Sequence, residues 1–120
     1  MADYKPAGWP DVIPRVFVSD VPALVKFLQS VFGAQGALSA DRPTELRIGD
    51  SIVIVSDGGG VRAPAPAFLY VYVADTDAVF ANAMKAGATA VEEPSNMPYG
   101  DRRATVRDAW GNTWQIATRL

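Results

Sequence analysis

Apolar residues recur with a helical period in two stretches of this chain. The first has one apolar face between residues 21 and 32, formed by Val21, Leu24, Val25, Leu28, Val31 and Phe32. The second begins at Thr76, and its apolar stripe is formed by Val79, Phe80, Ala83 and Met84. Asp20 precedes the first stretch as an N-capping residue does, and Gly33 and Gly87 follow the two stretches as C-terminal glycines do. The pattern predicts two amphipathic helices.

Short apolar runs predict strands on both sides of each helix. They cover residues 12–18, the region around Ala37, and then 44–48, 51–55, 67–73, 89–92, 102–107 and 113–118. Gly49-Asp50 predicts a two-residue hairpin turn, and Asp108-Ala109-Trp110-Gly111 predicts a second tight turn. The resulting order is βαβββ used twice, which predicts an α+β fold.

One segment repeats within the chain. Val18–Ala23 and Val73–Ala78 match each other, and each opens one of the predicted helices. We therefore expect a single domain over residues 1–120, with one module at 12–56, a linker at 57–66 and a second module at 67–120. Gly58-Gly59-Gly60 is interpreted as part of that linker, because no Lys-Ser/Thr pair follows it as in a phosphate-binding loop.

Composition excludes several functional classes. The net charge of −2 provides no basic surface for nucleic acid. The chain has neither cysteine nor histidine, which excludes disulfides, thiolate metal sites and a Ser-His-Asp triad. No apolar run approaches the roughly 18 residues of a membrane span, and the first residues do not form a signal peptide. We therefore expect a cytoplasmic protein that binds neither nucleic acid nor membrane.

Four segments in this order resemble the vicinal oxygen chelate superfamily, which contains glyoxalases, dioxygenases and bleomycin-resistance proteins. They are Ile13–Val18, Phe27–Ala34, Glu45–Ser51 and Tyr99–Trp114. The likeness is greatest to the PhnB-like branch. The resemblance implies two βαβββ modules whose eight strands form cupped mixed sheets around a cavity, with the helices outside. It also implies a homodimer.

The resemblance further implies where a metal would be bound. Enzymes of the superfamily hold a divalent cation with four residues, usually His, Gln or Glu, on the first and last strand of each module. Spacing from the capping aspartates and the turn glycines assigns these positions to Ile13, Val53, Phe68 and Gln115. Three apolar side chains and one neutral amide do not coordinate a cation. We therefore expect no metal, no other cofactor and no catalytic residues of the usual kind.

Side chains in phase with those positions are predicted to face the cavity. They are Ile13, Arg15, Phe17, Glu45, Arg47, Ser51, Val53, Val55, Phe68, Tyr70, Tyr72, Arg103, Thr105, Arg107, Thr113, Gln115 and Ala117. The opposite phase predicts a core beneath the helices, formed by Leu46, Ile48, Ile52, Ile54, Val71, Val106, Trp114 and Ile116. The cavity face thus mixes aromatic rings with arginine, whereas the other face is apolar.

We predict twelve ligand-binding residues from this pattern. They are Arg15, Phe17, Glu45, Arg47, Val53, Phe68, Tyr70, Tyr72, Arg107 and Gln115, together with Trp110 in the second turn and Tyr99, whose loop with Asp101 rims the pocket in related proteins. Arginine and aromatic rings favour a planar or anionic small molecule. Two alternatives stay open. The charged residues Arg15, Glu45, Arg47 and Arg107 form a salt-bridged network in a vestigial cavity or lie at an exposed sheet edge, and the aromatic residues, Trp110 above all, serve packing.

The function predicted from these residues is metal-free binding of a small molecule, as in sequestration of a drug or metabolite. The alternative is an enzyme of the lyase, isomerase or dioxygenase type that acts on a small oxygenated substrate held by Arg15, Arg47 or Arg107. A third interpretation is a dimeric regulatory module with a degenerate pocket.

Overall fold

The computed structural model describes residues 4–57 and 65–120. Most of the expected linker, including Gly58-Gly59-Gly60, lies outside these residues. The elements are β1 (Arg15–Phe17), α1 (Val21–Phe32), β2 (Thr44–Ile48), β3 (Ser51–Ser56), β4 (Phe68–Tyr72), α2 (Thr76–Lys85), β5 (Thr89–Asn96), β6 (Asp101–Arg107) and β7 (Thr113–Arg119). The predicted α+β class is confirmed.

Both helices begin and end where the sequence predicts. The side chain of Asp20 accepts a hydrogen bond from the backbone N–H of Ala23 at 3.1 Å, and Asp75 does the same for Ala78 at 3.2 Å. Gly33 ends α1 in the left-handed conformation, with φ of 66°. These contacts satisfy N–H groups that a helix end otherwise leaves unpaired.

The strands form two sheets with related topology. The first sheet has the order β1-β3-β2 and the second the order β4-β7-β6-β5. In each, the strand before the helix pairs in parallel with the last strand of its module, and the other pairs are antiparallel. The repeat detected in the sequence is therefore a repeat of topology.

The described residues contain seven strands, one fewer than expected. The strand predicted around Ala37 is reduced to a single bridge, in which Gln35 and Arg47 exchange two backbone hydrogen bonds of 2.8 Å. Gly36 follows with φ of 136°, a conformation that ends the extended run. The described part of the chain therefore forms seven strands instead of eight, and the cupped arrangement around a cavity stays a prediction.

One hydrophobic core joins the two modules. Helix α1 contributes Leu24, Val25, Phe27, Leu28 and Val31, and both sheets contribute residues that include Val16, Leu46, Val53, Val106, Trp114 and Ile116. The ring of Trp114 is fully buried and lies 5.4 Å from that of Phe32. Because the helix-facing side of each sheet is buried in this core, the other sides of the two sheets are available for function.

The phase predicted for β3 is wrong. Val53 and Val55 pack in the core, whereas Ile52 and Ile54 pair with Arg47 and with Glu45 and Arg15 on the opposite face. Ser51 pairs with Ile48 and shares the phase of Val53. This strand is apolar on both faces, so its composition did not define which side is buried. The register of β3 with β1 and β2 defines the buried side.

Within the described residues, neither helix has the length and apolar character needed to cross a membrane.

Candidate functional site

The outer face of the second sheet carries a row of exposed aromatic rings. Phe68, Tyr70 and Tyr72 project from β4, with 66, 39 and 60% of their surface exposed. Their partners on β7 are Thr113, Gln115 and Ala117, and those in turn pair with Arg107, Thr105 and Arg103 of β6. We call this surface, defined by these nine residues, the tyrosine face.

Asp101 anchors one end of the tyrosine face. The residue is 1% exposed, and its Oδ2 accepts hydrogen bonds from the hydroxyls of Tyr70 at 2.7 Å and Tyr72 at 2.8 Å. The Oδ1 atom makes no hydrogen bond among the described residues, but Nη1 of Arg119 lies 3.2 Å away and compensates the charge. Asp101 thereby holds the two tyrosine rings edge to face, with centroids 5.4 Å apart.

The hydrogen bonds around Asp101 have a defined direction. Tyr70 has one hydroxyl proton and donates it to Asp101, so in its 3.2 Å contact with Tyr99 the donor is Tyr99. Tyr99 accepts in turn from Nη1 of Arg103 at 3.1 Å. The chain of donors therefore runs from Arg103 through Tyr99 and Tyr70 to the carboxylate.

A second carboxylate lies on the neighbouring strand. Glu92 of β5 accepts from Nη2 of Arg103 at 2.9 Å and from the hydroxyl of Thr105. The amide of Gln115 donates to the same hydroxyl oxygen at 3.4 Å. Glu92 thus fixes Arg103 and connects the centre of the tyrosine face to the sheet edge.

These contacts shift several pKa values. The hydrogen bond from Tyr70, with those from Tyr72 and the charge of Arg119, lowers the pKa of Asp101 against the opposing effect of its burial. The bond from Thr105, with Arg103, lowers the pKa of Glu92. Burial and the bonds to Tyr99 and Asp101 raise the pKa of Tyr70, and the bond to Asp101 raises that of Tyr72. At neutral pH both carboxylates are therefore ionised and both phenols keep their protons.

The outer face of the first sheet is a separate cationic surface. Arg15, Glu45 and Arg47 are exposed there, around Ile52 and Ile54. The guanidinium of Arg15 lies 5.1 Å from the ring centroid of Phe17, and its Nη2 donates to Ser56 at 3.3 Å. A cavity of about 640 Å³ opens beside Arg15, Phe17 and Ser56, between β1, the start of α1 and residues 38–43.

The structure divides the predicted residues into three groups. Phe68, Tyr70, Tyr72, Arg107 and Gln115 lie on the tyrosine face with Tyr99 at its end, and Arg15, Phe17, Glu45 and Arg47 lie on the first sheet. Val53 and Trp110 lie on neither: Val53 is in the core, and the Trp110 ring packs edge-on against Phe27 at 6.1 Å, beside a groove between the helices.

The salt-bridged network considered for the arginines is not present among the described residues. None of Arg15, Arg47, Arg107 and Glu45 forms an ion pair there. The polar network instead joins Asp101, Tyr99, Arg103 and Glu92. Asp101 lies at the start of β6 and not in the rim loop, and Glu92 is not among the residues predicted from the sequence. Asp101 and Glu92 share one feature that could have identified them, a carboxylate on the same side of the sheet as the aromatic residues. The pairing of the strands is needed to recognise it.

The residues at the four positions where enzymes of the superfamily bind a metal do not form a metal site. Tyr70 pairs with Gln115 in parallel register as Arg15 pairs with Ile54, so the counterpart of Gln115 in the first module is Ile54, not Val53. Ile13, Ile54 and Phe68 offer no donor atom, and the amide of Gln115 is directed to Thr105. Across residues 4–57 and 65–120, no group of three or more Asp or Glu residues is placed to hold a cation.

The sequence matches the model of the glyoxalase/bleomycin resistance protein/dioxygenase superfamily over residues 12–116. The chain belongs to this superfamily. An uncharacterised protein of Mycobacterium bovis is 28% identical, with 89% of this chain and 82% of the relative covered.

Solved structures share the fold. TioX from Micromonospora sp. ML1 is 27% identical, with a TM-score of 0.75 over 92% of this chain and 99% of that one. TnmS3 from Streptomyces sp. CB03234, an antibiotic-binding protein, has a TM-score of 0.76 at 22% identity, covering 90% of this chain and 93% of its own. A family enzyme from Burkholderia phytofirmans has a TM-score of 0.75 at 22% identity, covering 90% and 97%.

Proposed function

We propose that this protein binds a planar small molecule without a metal and sequesters it. The observation that carries the proposal is the tyrosine face, where aromatic rings and Arg107 occupy the surface on which metal ligands would project. A metabolite or an antibiotic with a flat ring system suits this surface, because stacking on aromatic rings contributes most when both sides are removed from water. The likeness in fold to TnmS3 agrees with this class of ligand.

Free cationic groups favour a ligand with an acceptor or a negative charge. Arg107 is exposed on the tyrosine face, and Arg15 and Arg47 are exposed on the first sheet. None of these guanidinium groups has an ion-pair partner among the described residues. A guanidinium forms bidentate hydrogen bonds to carboxylate or sulfonate oxygens, so an acidic aromatic compound is the expected ligand class.

Binding is better supported than catalysis. A general base needs a pKa near the working pH and room to reach a substrate proton. Asp101 and Glu92 instead have lowered pKa values, and their oxygen atoms accept hydrogen bonds from tyrosine, threonine and arginine. Both carboxylates are suited to hold side chains in place as permanent anions.

The proposal includes a homodimer. Phe68 and Tyr72 are more than half exposed on a sheet face that has no covering element in the described chain. Aromatic surface of this kind is usually covered by a partner or a ligand. If the tyrosine face of one chain packs opposite a sheet of its partner, the dimer encloses the pocket. We expect this arrangement for a PhnB-like protein, and we expect the protein in the cytoplasm.

The proposal can be tested by a thermal-shift screen of aromatic acids, quinone-like compounds and aromatic antibiotics. We expect hits among acidic or acceptor-bearing planar compounds, with Kd values weakened about tenfold or more by Arg107→Ala or Tyr70→Ala. Lys85→Ala, on the exposed side of α2, is the matched control and should bind like the parent protein. Equal binding by all four proteins would exclude the tyrosine face as the site.

A further inference from the structure

We infer that Asp101 makes the tyrosine face selective for ligands that carry a hydrogen-bond donor at the Tyr72 end and an acceptor or anionic group at the Arg107 end. The inference rests on the proposed function and names the chemistry of its ligand. It makes Asp101 a positioning residue, because its carboxylate acts on the ligand through the tyrosines.

The two phenols have no proton to spare for a ligand. Each tyrosine hydroxyl has one proton, and those of Tyr70 and Tyr72 both point to Oδ2 of Asp101, at 2.7 and 2.8 Å. Neither phenol has a proton left to give to a ligand. The exposed side of Tyr72 therefore offers only lone pairs, so a ligand atom that contacts its oxygen must be a donor.

The surroundings of Asp101 oppose release of the phenols. Its carboxylate is buried, and the two hydroxyls share its Oδ2 atom while Arg119 lies beside Oδ1. A buried carboxylate that lost these donors would be left without its solvation. A ligand that needed a proton from Tyr72 would have to break this arrangement, and an acceptor at that position is accordingly rejected.

The two ends of the tyrosine face differ in the groups that are free to bind a ligand. Arg107 is in register with Thr113 and Phe68, whereas Arg103 is in register with Ala117 and Tyr72. The two rows are four residues apart along the strands, about 13 Å at 3.3 Å per residue. The guanidinium of Arg107 at one end has no ion-pair partner among the described residues. At the other end the phenols accept, and the guanidinium groups there are already paired, Arg103 with Glu92 and Arg119 with Asp101.

The test compares two planar probes that differ in the substituents of one nitrogen, which carries two N–H donors in one probe and two methyl groups in the other. Aminonaphthalene sulfonate has an anionic group and an N–H donor on opposite rings, and its N,N-dimethyl analogue lacks the donor. Fluorescence titration at pH 7.5 of the full-length protein should give a Kd about tenfold lower for the amino compound, the value of one hydrogen bond shielded from water.

Three variants identify the origin of that preference. Tyr72→Phe keeps the ring and removes the acceptor, so the two probes should bind with equal Kd. Asp101→Asn keeps the shape but lets a phenol donate, so the preference should fall to less than about threefold. Lys85→Ala should keep the parental preference. Since Tyr72 is exposed, its Phe variant is expected to fold even if Asp101→Asn does not.

The outcomes separate the two proposals. Equal binding of both probes to the parent protein, or a preference that survives in Tyr72→Phe, overturns the role of Asp101 and leaves small-molecule binding in place. Failure of both probes to bind at millimolar concentration contradicts the proposed function at this face, and the selectivity with it.

Discussion

Trp114 donates its indole N–H to Oδ2 of Asp108 across a distance of 2.9 Å. Both residues are buried, and Asp108 also accepts from the side-chain amide of Asn112 and from the backbone N–H groups of Asn112 and Trp110. Asn112 in turn accepts from the backbone of Ala67, just before β4. One carboxylate therefore shapes the turn before β7 and fixes the start of the strand that carries the tyrosine face.

We predict that Asp108→Ala destabilises the protein by about 3 kcal/mol, because four donors, three of them buried, lose their acceptor. Urea denaturation followed by circular dichroism measures this change. The matched control is Asp50→Ala in the Gly49-Asp50 turn of the first module, where the exposed carboxylate accepts, among the described residues, only from Ser51. It should cost less than about 0.5 kcal/mol. Equal losses would show that the turn in the second module does not depend on Asp108.

The contrast between these turns shows what can be predicted from sequence. Asp20, Gly33 and the Gly49-Asp50 turn were predictable because each depends on a few neighbouring residues. Asp108 and Trp114 are also close in sequence, but the convergence of four donors on one carboxylate follows from the path of the turn. Neighbouring residues thus predicted where helices and turns lie, but not the hydrogen bonds that converge on Asp108.

The candidate site was predicted in part. Phe68, Tyr70, Tyr72, Arg107 and Gln115 were assigned to one face by alternation alone, and the structure brings them together. Alternation failed for Val53, since a strand that is apolar on both sides has no preferred phase until it pairs. The role of Asp101 needed the register of three strands, because it contacts residues about 30 positions away.

The tyrosine–carboxylate contacts predict a stability that depends on pH at both extremes. Asp101 has a lowered pKa in the folded chain. Its contribution to the free energy of unfolding is therefore complete above the ordinary value of 3.8 and is lost as the pH falls through the folded value. Tyr70 and Tyr72 have raised pKa values in the folded chain. Their contribution to the free energy of unfolding is therefore complete below the ordinary value of 10.0 and is lost as the pH rises through the folded values.

Denaturation at pH 7 and above pH 10 checks the alkaline side. The free energy of unfolding of the parent protein should fall with rising pH more steeply than that of Tyr70→Phe, which has no proton to lose at that position. Absorbance titration of the phenols gives an independent readout: Asp101→Asn should ionise its tyrosines at lower pH than the parent. Identical titration curves would contradict the hydrogen bonds to Asp101.

We expect a homodimer in solution. Light scattering at micromolar concentration should give about twice the 12.8 kDa mass of the chain. Phe68→Asp introduces a charge on the tyrosine face and should weaken the dimer if that face is part of the pocket between chains. A mass of one chain for the parent protein would show that the aromatic surface is open in solution.

Elemental analysis should find far less than one equivalent of zinc, nickel, iron or manganese per chain after dialysis. Ile13, Ile54 and Phe68 supply no ligand atom, and one amide is insufficient for a closed site. Near-stoichiometric metal in the parent protein would require ligands other than those four positions.

Calorimetric titration of an aromatic acid into the protein, before and after treatment with EDTA, tests metal-free binding most directly. We predict the same Kd in both samples, weakened about tenfold or more by Tyr70→Ala and unchanged by Lys85→Ala. Binding that disappears with EDTA and returns with a divalent cation would contradict the account.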